Sequence, residues 1–224
     1  MGPGSTIVEL GSGTGKFTRA LLPLGAAIVA VDPMPGMRRE FHRRVPTVPV
    51  LAGSAESIPL PDGMADAVVA AQAFHWFRGT TALREIARVL RPGGVLGLVW
   101  NRRYDRTGWA HEFDQILSRH GGHGPSQRGG WRAPFQRSTS PFGALHRRTF
   151  AYAQTAPAAT FPAWALSVSR IAALPPAARS KVASEVRTLL ATHPSTRGRA
   201  KVSLPYRTSI FYARRRAPRP RRRR

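Results

Sequence analysis

A chain of 224 residues, 42% of them hydrophobic, is long enough for one domain of ordinary size with a sizeable core. The absence of cysteine excludes disulfides, thiolate metal sites and cysteine nucleophiles, and no metal site is expected. With neither a membrane-spanning apolar stretch nor a signal peptide, a cytoplasmic protein with no membrane partner is expected. The formal net charge of +24 suggests nucleic acid at face value, but much of the surplus lies in residues 214–224, which read as a disordered Arg-rich tail. Aromatic residues do not interleave with that run, so a nucleic-acid partner is not favoured over a frayed basic terminus.

After a short Gly-Pro stub the chain reads IVELGSGTGKFT from Ile7 to Thr18. Ile7, Val8 and Leu10 form an apolar run that stops at Gly11, Gly13 and Gly15, and helical spacing begins at Lys16. The pattern is strand, tight turn, helix. Such glycines reach left-handed conformations and let a ligand approach the backbone, near helix-start N–H groups that have no partner of their own. Glu9 is expected to bring a carboxylate into the same crevice. A phosphate-cradling P-loop is excluded, because Leu10 stands where its first glycine belongs and Phe17 where its Ser or Thr belongs. The dinucleotide fingerprint fits poorly too, since the third glycine comes one residue early.

A second buried-strand run, AAIVAVD, ends in Asp32. Its carboxylate either accepts both hydroxyls of a ribose or caps the helix near Pro35, and it does not separate one nucleoside cofactor from another. A basic helix over 37–44 leads to a third strand over 48–53, and SAESIPLPDG then forces an irregular connection. The fourth strand, ADAVVAAQ, ends at Gln72 and is followed by AFHWF. In an open parallel sheet strands one and four both end at the ligand crevice, which places Phe74, His75 and Trp76 beside it. Plain packing against the sheet competes with that role for Phe74 and Trp76, and a packed histidine competes with a general base for His75.

Further on, Thr80–Leu90 carries an amphipathic helix that Pro92-Gly93-Gly94 ends, VLGLVW is the fifth strand, and Trp109–Leu117 suggests another helix. Residues 121–143 read as a long loop or insertion, 145–153 as a strand, and 161–174 and 177–190 as two helices; residues 202–215 form a β-rich run.

ELGSGTG resembles the first motif of class I S-adenosylmethionine-dependent methyltransferases, and GSAESIPLPDG, AFHWF and REIARVLRPGGVLGL resemble that family's later segments in the same order. The agreement runs from Ile7 to about Asn101, with weaker echoes to Arg214 that include LPYRT around Tyr206 and Arg207. The likeness is to the methyltransferase domain type 11 group. It implies an α/β, Rossmann-like, doubly wound and mostly parallel sheet of order 3-2-1-4-5 plus an antiparallel terminal strand, with helices on both faces. It implies a single domain over 1–213, with a cofactor-binding core over 6–101, a variable substrate region over 102–200 and a terminal strand over 201–213.

The resemblance also implies roles. Glu9, Gly11, Ser12, Gly13, Thr14 and Gly15 would receive the methionine portion of S-adenosylmethionine, Asp32 the ribose, and Ser54, Ala55 and Glu56 the adenine. Gln72, Phe74 and Trp76 would lie near the transferred methyl, with His75 as the base candidate although a dedicated base is optional. S-adenosylhomocysteine would be released, and a small-molecule acceptor would be held by the variable stretch. Members of this kind usually carry a segment before the first strand, with a helix and aromatic residues that close over the cofactor, and its absence here suggests a fragment or a mis-started reading frame, with weak or no turnover. Two other classes remain: an NAD-dependent oxidoreductase, and a catalytically silent nucleic-acid-binding protein.

Overall fold

The computed structural model describes residues 1–103, 108–121 and 130–217. Seven strands form one sheet in the order β3-β2-β1-β4-β5-β7-β6. Here β1 is Thr6–Leu10, β2 Ala27–Asp32, β3 Val50–Ala52, β4 Ala65–Ala71, β5 Leu90–Arg103, β6 His146–Pro157 and β7 Lys201–Arg214. The first five pair in parallel, with β1 between β2 and β4. β7 lies antiparallel beside β5, as the pairing of Arg215 N–H with the Gly94 carbonyl (2.8 Å) and of the Thr208 hydroxyl with Asn101 Oδ1 (3.1 Å) shows. This is the doubly wound, Rossmann-like sheet expected from the sequence, extended by β6.

The chain separates into two compact units, Met1–Trp100 with Arg128–Arg148 and Ser209–Arg224, and Asn101–Gln127 with Thr149–Thr208. The sequence reading drew one domain with its core ending at 101. The first unit contains every residue named above for the cofactor.

In the first unit the strands sort their side chains by the period of two. Val8, Leu10, Val31, Val68 and Ala70 join Leu83, Ile86 and Ala87 of α3 (Gly79–Val89) in one buried cluster. Ile7, Ile28, Ala30 and Ala67 face the other way and meet Leu21 of α1 (Lys16–Leu21) and Phe41 of α2 (Pro35–Arg44). Helices therefore cover both faces. Pairing of β3 starts later than the sequence suggested: Val48 donates to the Val45 carbonyl in a turn, and Pro49, which has no N–H, offers only its carbonyl, to Ala30 at 2.9 Å.

The helix-ending role expected of Pro92-Gly93-Gly94 is corrected. Helix α3 already ends at Val89, and β5 begins at Leu90. Its register against β4 jumps from Ala65↔Leu90 to Ala67↔Val95, so residues 91–94 form a bulge. Arg91 ion-pairs with Asp66 across it, and Gly93 has φ +76°, a conformation that suits glycine.

The tail is also corrected. Arg214 completes β7, while Arg215 N–H bonds Gly94 and Arg216 N–H bonds the Pro141 carbonyl at 2.9 Å. The remainder of the Arg-rich run, 218–224, lies outside the described residues, as do 122–129 of the expected long loop. The described part of that loop carries a 3₁₀ turn at Gly130–Arg132 and the short helix α5, Ala133–Gln136.

The second unit packs Trp109, Phe113, Ile116 and Leu117 of α4 (Trp109–Arg119) against Phe161, Val182, Val186 and Leu204. The single helix expected over 161–174 is two: α6 is Phe161–Leu166 and α7 is Ser169–Ala172. The Ser167 hydroxyl donates to the Trp164 carbonyl at 2.7 Å and Val168 N–H turns back to Ala165, which tightens the chain and interrupts the helix. Helix α8, Pro176–Thr192, opens on a proline whose missing N–H costs nothing there. Among the described residues no helix is long and apolar enough to cross a membrane.

Candidate active site

The crevice forms where the sheet order reverses, between the carboxyl ends of β1 and β4. After Leu10 the chain turns through Gly11, Gly13 and Gly15 with φ of +65°, +55° and +77°. The three glycines do different work. A Cβ at Gly11 would sit 2.7 Å from the Ala73 methyl, and one at Gly15 2.6 Å from Val45 Cγ2, so those two glycines let backbone pack against neighbours. A Cβ at Gly13 would meet nothing within 4 Å. That glycine faces open space.

The turn is held from β2. Gly11 and Ser12 N–H both point at the Val31 carbonyl, at 2.9 and 3.3 Å, and Gly13 N–H donates to Asp32 Oδ2 at 2.8 Å. Asp32 Oδ1 accepts from Met34 N–H at 2.9 Å, so the carboxylate does organise the entry to α2 while it grips the turn. Each oxygen keeps a second lone pair. Ser12 is buried at 6% exposure, and its Oγ has no hydrogen-bond partner among the described residues. Thr14 is half-buried beside it.

Glu9 is more deeply enclosed than the sequence suggested. It is 1% exposed and accepts the Thr18 hydroxyl at 2.5 Å, across the first turns of α1. Burial pushes its carboxyl from 4.5 up to about 7; the Thr18 hydrogen bond opposes the rise, and the nearby Asp32 charge adds to it. Thr18 escaped the sequence reading. Its one available signal was a hydroxyl in the first turn of an otherwise apolar and basic helix, nine residues from a strand carboxylate.

The connection after β3 folds back on itself, with Ser54 and Ser57 exchanging backbone hydrogen bonds at 3.2 Å. Ala55 is buried in the core, and the half-buried Glu56 accepts Arg78 N–H at 2.7 Å, which ties this segment to the one that follows β4. Arg88 was also missed. From α3 it donates to the Ile58 and Leu60 carbonyls at 2.9 and 2.8 Å, to Asp62 at 2.6 Å and to Glu85, while Glu85 takes Ile58 N–H. One guanidinium fork thus fixes the proline-broken loop, as a planar five-donor group can. The i,i+3 spacing of Glu85 and Arg88 was visible, but their loop partners are distant in sequence.

At the end of β4, Gln72 has φ +56°, the only positive φ among the described residues other than glycine. This conformation costs a side-chain-bearing residue about 1 kcal/mol or more and is held by Gln72 N–H bonding Val99 at 2.8 Å. The following 3₁₀ turn, Phe74–Trp76, divides its rings. Phe74 is 1% exposed and packs edge-on against Phe77 and Trp131, a core position. Trp76 is 65% exposed, with the half-buried His75 ring 5.0 Å from it. Trp131, absent from the sequence-based site, packs against Trp100 with ring centroids 4.2 Å apart and planes tilted by 30°, and extends this aromatic wall.

Set beside known proteins, residues 8–98 match the model of the methyltransferase domain family. An uncharacterized methyltransferase of Mycobacterium tuberculosis is 39% identical over 200 residues, which is 89% of this chain and 79% of that protein. Among solved structures, a candidate type II methyltransferase from Anaeromyxobacter dehalogenans has a TM-score of 0.66 at 23% identity, covering 94% of this chain and 89% of that one. A phosphoethanolamine N-methyltransferase of Haemonchus contortus, solved with phosphomonomethylethanolamine and S-adenosylhomocysteine, has a TM-score of 0.54 at 15% identity over 97% and 50% of the two chains. These two structures share the fold with it.

Proposed function

Because this chain belongs to the methyltransferase domain family, we propose that it moves the methyl group of S-adenosylmethionine to a small-molecule acceptor and releases S-adenosylhomocysteine. The observation that carries this reading is the cradle at Ser12-Gly13. The Gly13 backbone faces open space, the Ser12 hydroxyl is buried without a partner among the described residues, and the Asp32 carboxylate is anchored within the same turn. A donor rich in hydroxyl, amino and carboxylate groups fits such a cradle better than an apolar ligand does. The H. contortus neighbour, which shares the fold, holds S-adenosylhomocysteine.

S-adenosylmethionine would supply an activated methyl whose leaving group is the sulfonium sulfur. On this chain the Gly11–Gly15 turn, braced from below by the buried Glu9, would hold the methionine portion, Asp32 the ribose hydroxyls and Ser54–Glu56 the adenine edge. The exposed Trp76 ring offers a face to a cation, and the wall of Phe74, Trp131 and Trp100 keeps water from that side. Where the acceptor must lose a proton, His75 would be the base candidate, although a dedicated base is optional. Alignment and desolvation supply most of the acceleration, since the leaving group is already activated.

Incubation of the protein with methyl-labelled S-adenosylmethionine and fractionated small-molecule extracts tests this reading. Label in a small product, with equimolar S-adenosylhomocysteine and neither in an Asp32→Ala variant, would support it. Label in macromolecules alone would contradict the acceptor class.

A further inference from the structure

A cleft of 310 Å³ opens in the second unit, lined by Leu166, Pro176, Arg179, Ser180, Ala183 and Arg187. Its floor and rims follow from helix spacing. Arg179, Ala183 and Arg187 succeed one another at intervals of four along α8, so they form one ridge with about 6 Å between successive members. Ala183, the small member, leaves a gap in that ridge, and the two guanidinium side chains stand on either side of it.

Neither arginine side chain has a hydrogen bond or ion pair among the described residues, and both residues are exposed. The unit's described carboxylates are already taken: Asp114 by Arg103, Glu185 by Arg119 and His120, while Glu112 faces His193. The arginines therefore keep their forks for a ligand. Leu166, from α6, and Pro176, at the start of α8, add apolar lining to the cleft, and the size is at the lower end of small-molecule sites.

We propose that this cleft binds a small organic oxyanion, a carboxylate or phosphate monoester on a short apolar body, with Arg179 and Arg187 at its charged end and Ser180 and Ala183 beneath it. Planar guanidinium forks match both headgroups, and the apolar lining distinguishes the site from general attraction to a cationic protein.

Titration of the full chain with hexanoate, hexyl phosphate and hexylamine in a calorimeter tests the assignment. Saturable binding of an anion but not of the amine is expected, and the tighter of the two anions identifies the headgroup. Affinity should fall by about tenfold or more in the Arg179→Gln/Arg187→Gln double variant. It should fall comparably in Ser180→Trp, which blocks the cleft without changing charge, and stay within about twofold in Arg197→Gln/Arg199→Gln, which removes the same charge elsewhere on the unit. Absence of saturation, an equal loss in the Arg197/Arg199 variant, or unchanged binding in Ser180→Trp would overturn it. S-adenosylmethionine binding is read separately in the same variants, so this inference and the cofactor reading fail independently.

Discussion

The Asp32 carboxylate at the end of β2 accepts the Gly13 N–H at 2.8 Å, so the residue expected to meet a ribose also holds the turn expected to meet the methionine portion. Asp32→Ala should therefore weaken S-adenosylmethionine binding by well over tenfold, through lost ribose bonds and a loosened turn together. Asp32→Asn, which can still accept the Gly13 N–H, should keep the melting temperature closer to wild type while losing affinity. Calorimetry and thermal melts on the two variants separate these contributions.

Gly13 and Gly15 should respond differently to alanine. Gly15→Ala places a methyl 2.6 Å from Val45 Cγ2 and 3.1 Å from the Phe41 ring, on top of a left-handed backbone, and should lower the melting temperature sharply. Gly13→Ala meets only the conformational cost of about 1–2 kcal/mol and intrudes where the ligand would lie, so its cofactor affinity should fall more than its stability does.

Glu9 makes stability depend on pH with a definite sign. Its folded-state carboxyl is raised to about 7 from 4.5, so between those values the folded state binds the extra proton and stability falls as pH rises. Full ionisation of so buried a group costs about 3 kcal/mol, present above pH 7 and absent below about 4.5. Glu9→Gln can still accept the Thr18 hydroxyl without a charge. Urea unfolding should show this variant gaining on wild type as pH goes from 5 to 8; a constant difference would assign the carboxyl an ordinary titration.

Removal of the Arg88 fork should free the loop after β3. In Arg88→Ala, and nearly as much in Arg88→Lys, amide exchange at Ile58 and Leu60 should accelerate, because a lysine cannot reach two carbonyls and two carboxylates at once. Exchange at Val8 and Val68, in the central strands, should be unaffected.

Much of the fold was legible because its signals are local. The run to Leu10, the glycines and the acidic end of β2 each announce a strand end within a few residues, and the order of the motifs supplied the sheet. What escaped depends on partners far apart in sequence. Thr18 matters because α1 lays it over Glu9, Arg88 because α3 passes under the loop it binds, and Trp131 because its loop returns to β5. The bulge at 91–94 was hidden because a Pro-Gly-Gly run signals a turn equally well at a helix end or within a strand. Packing against the sheet was the reading the sequence favoured for Phe74, and the 3₁₀ turn does bury that ring while it exposes Trp76.

The account rests most heavily on the crevice at Ser12-Gly13 receiving an adenosyl sulfonium. Calorimetric titration of the wild-type chain with S-adenosylmethionine, with NADH as comparison, tests it directly. Saturable binding of one S-adenosylmethionine per chain, no heat from NADH and loss of the signal in Asp32→Ala are predicted. Binding of NADH in preference, or S-adenosylmethionine binding indifferent to Asp32, would contradict it.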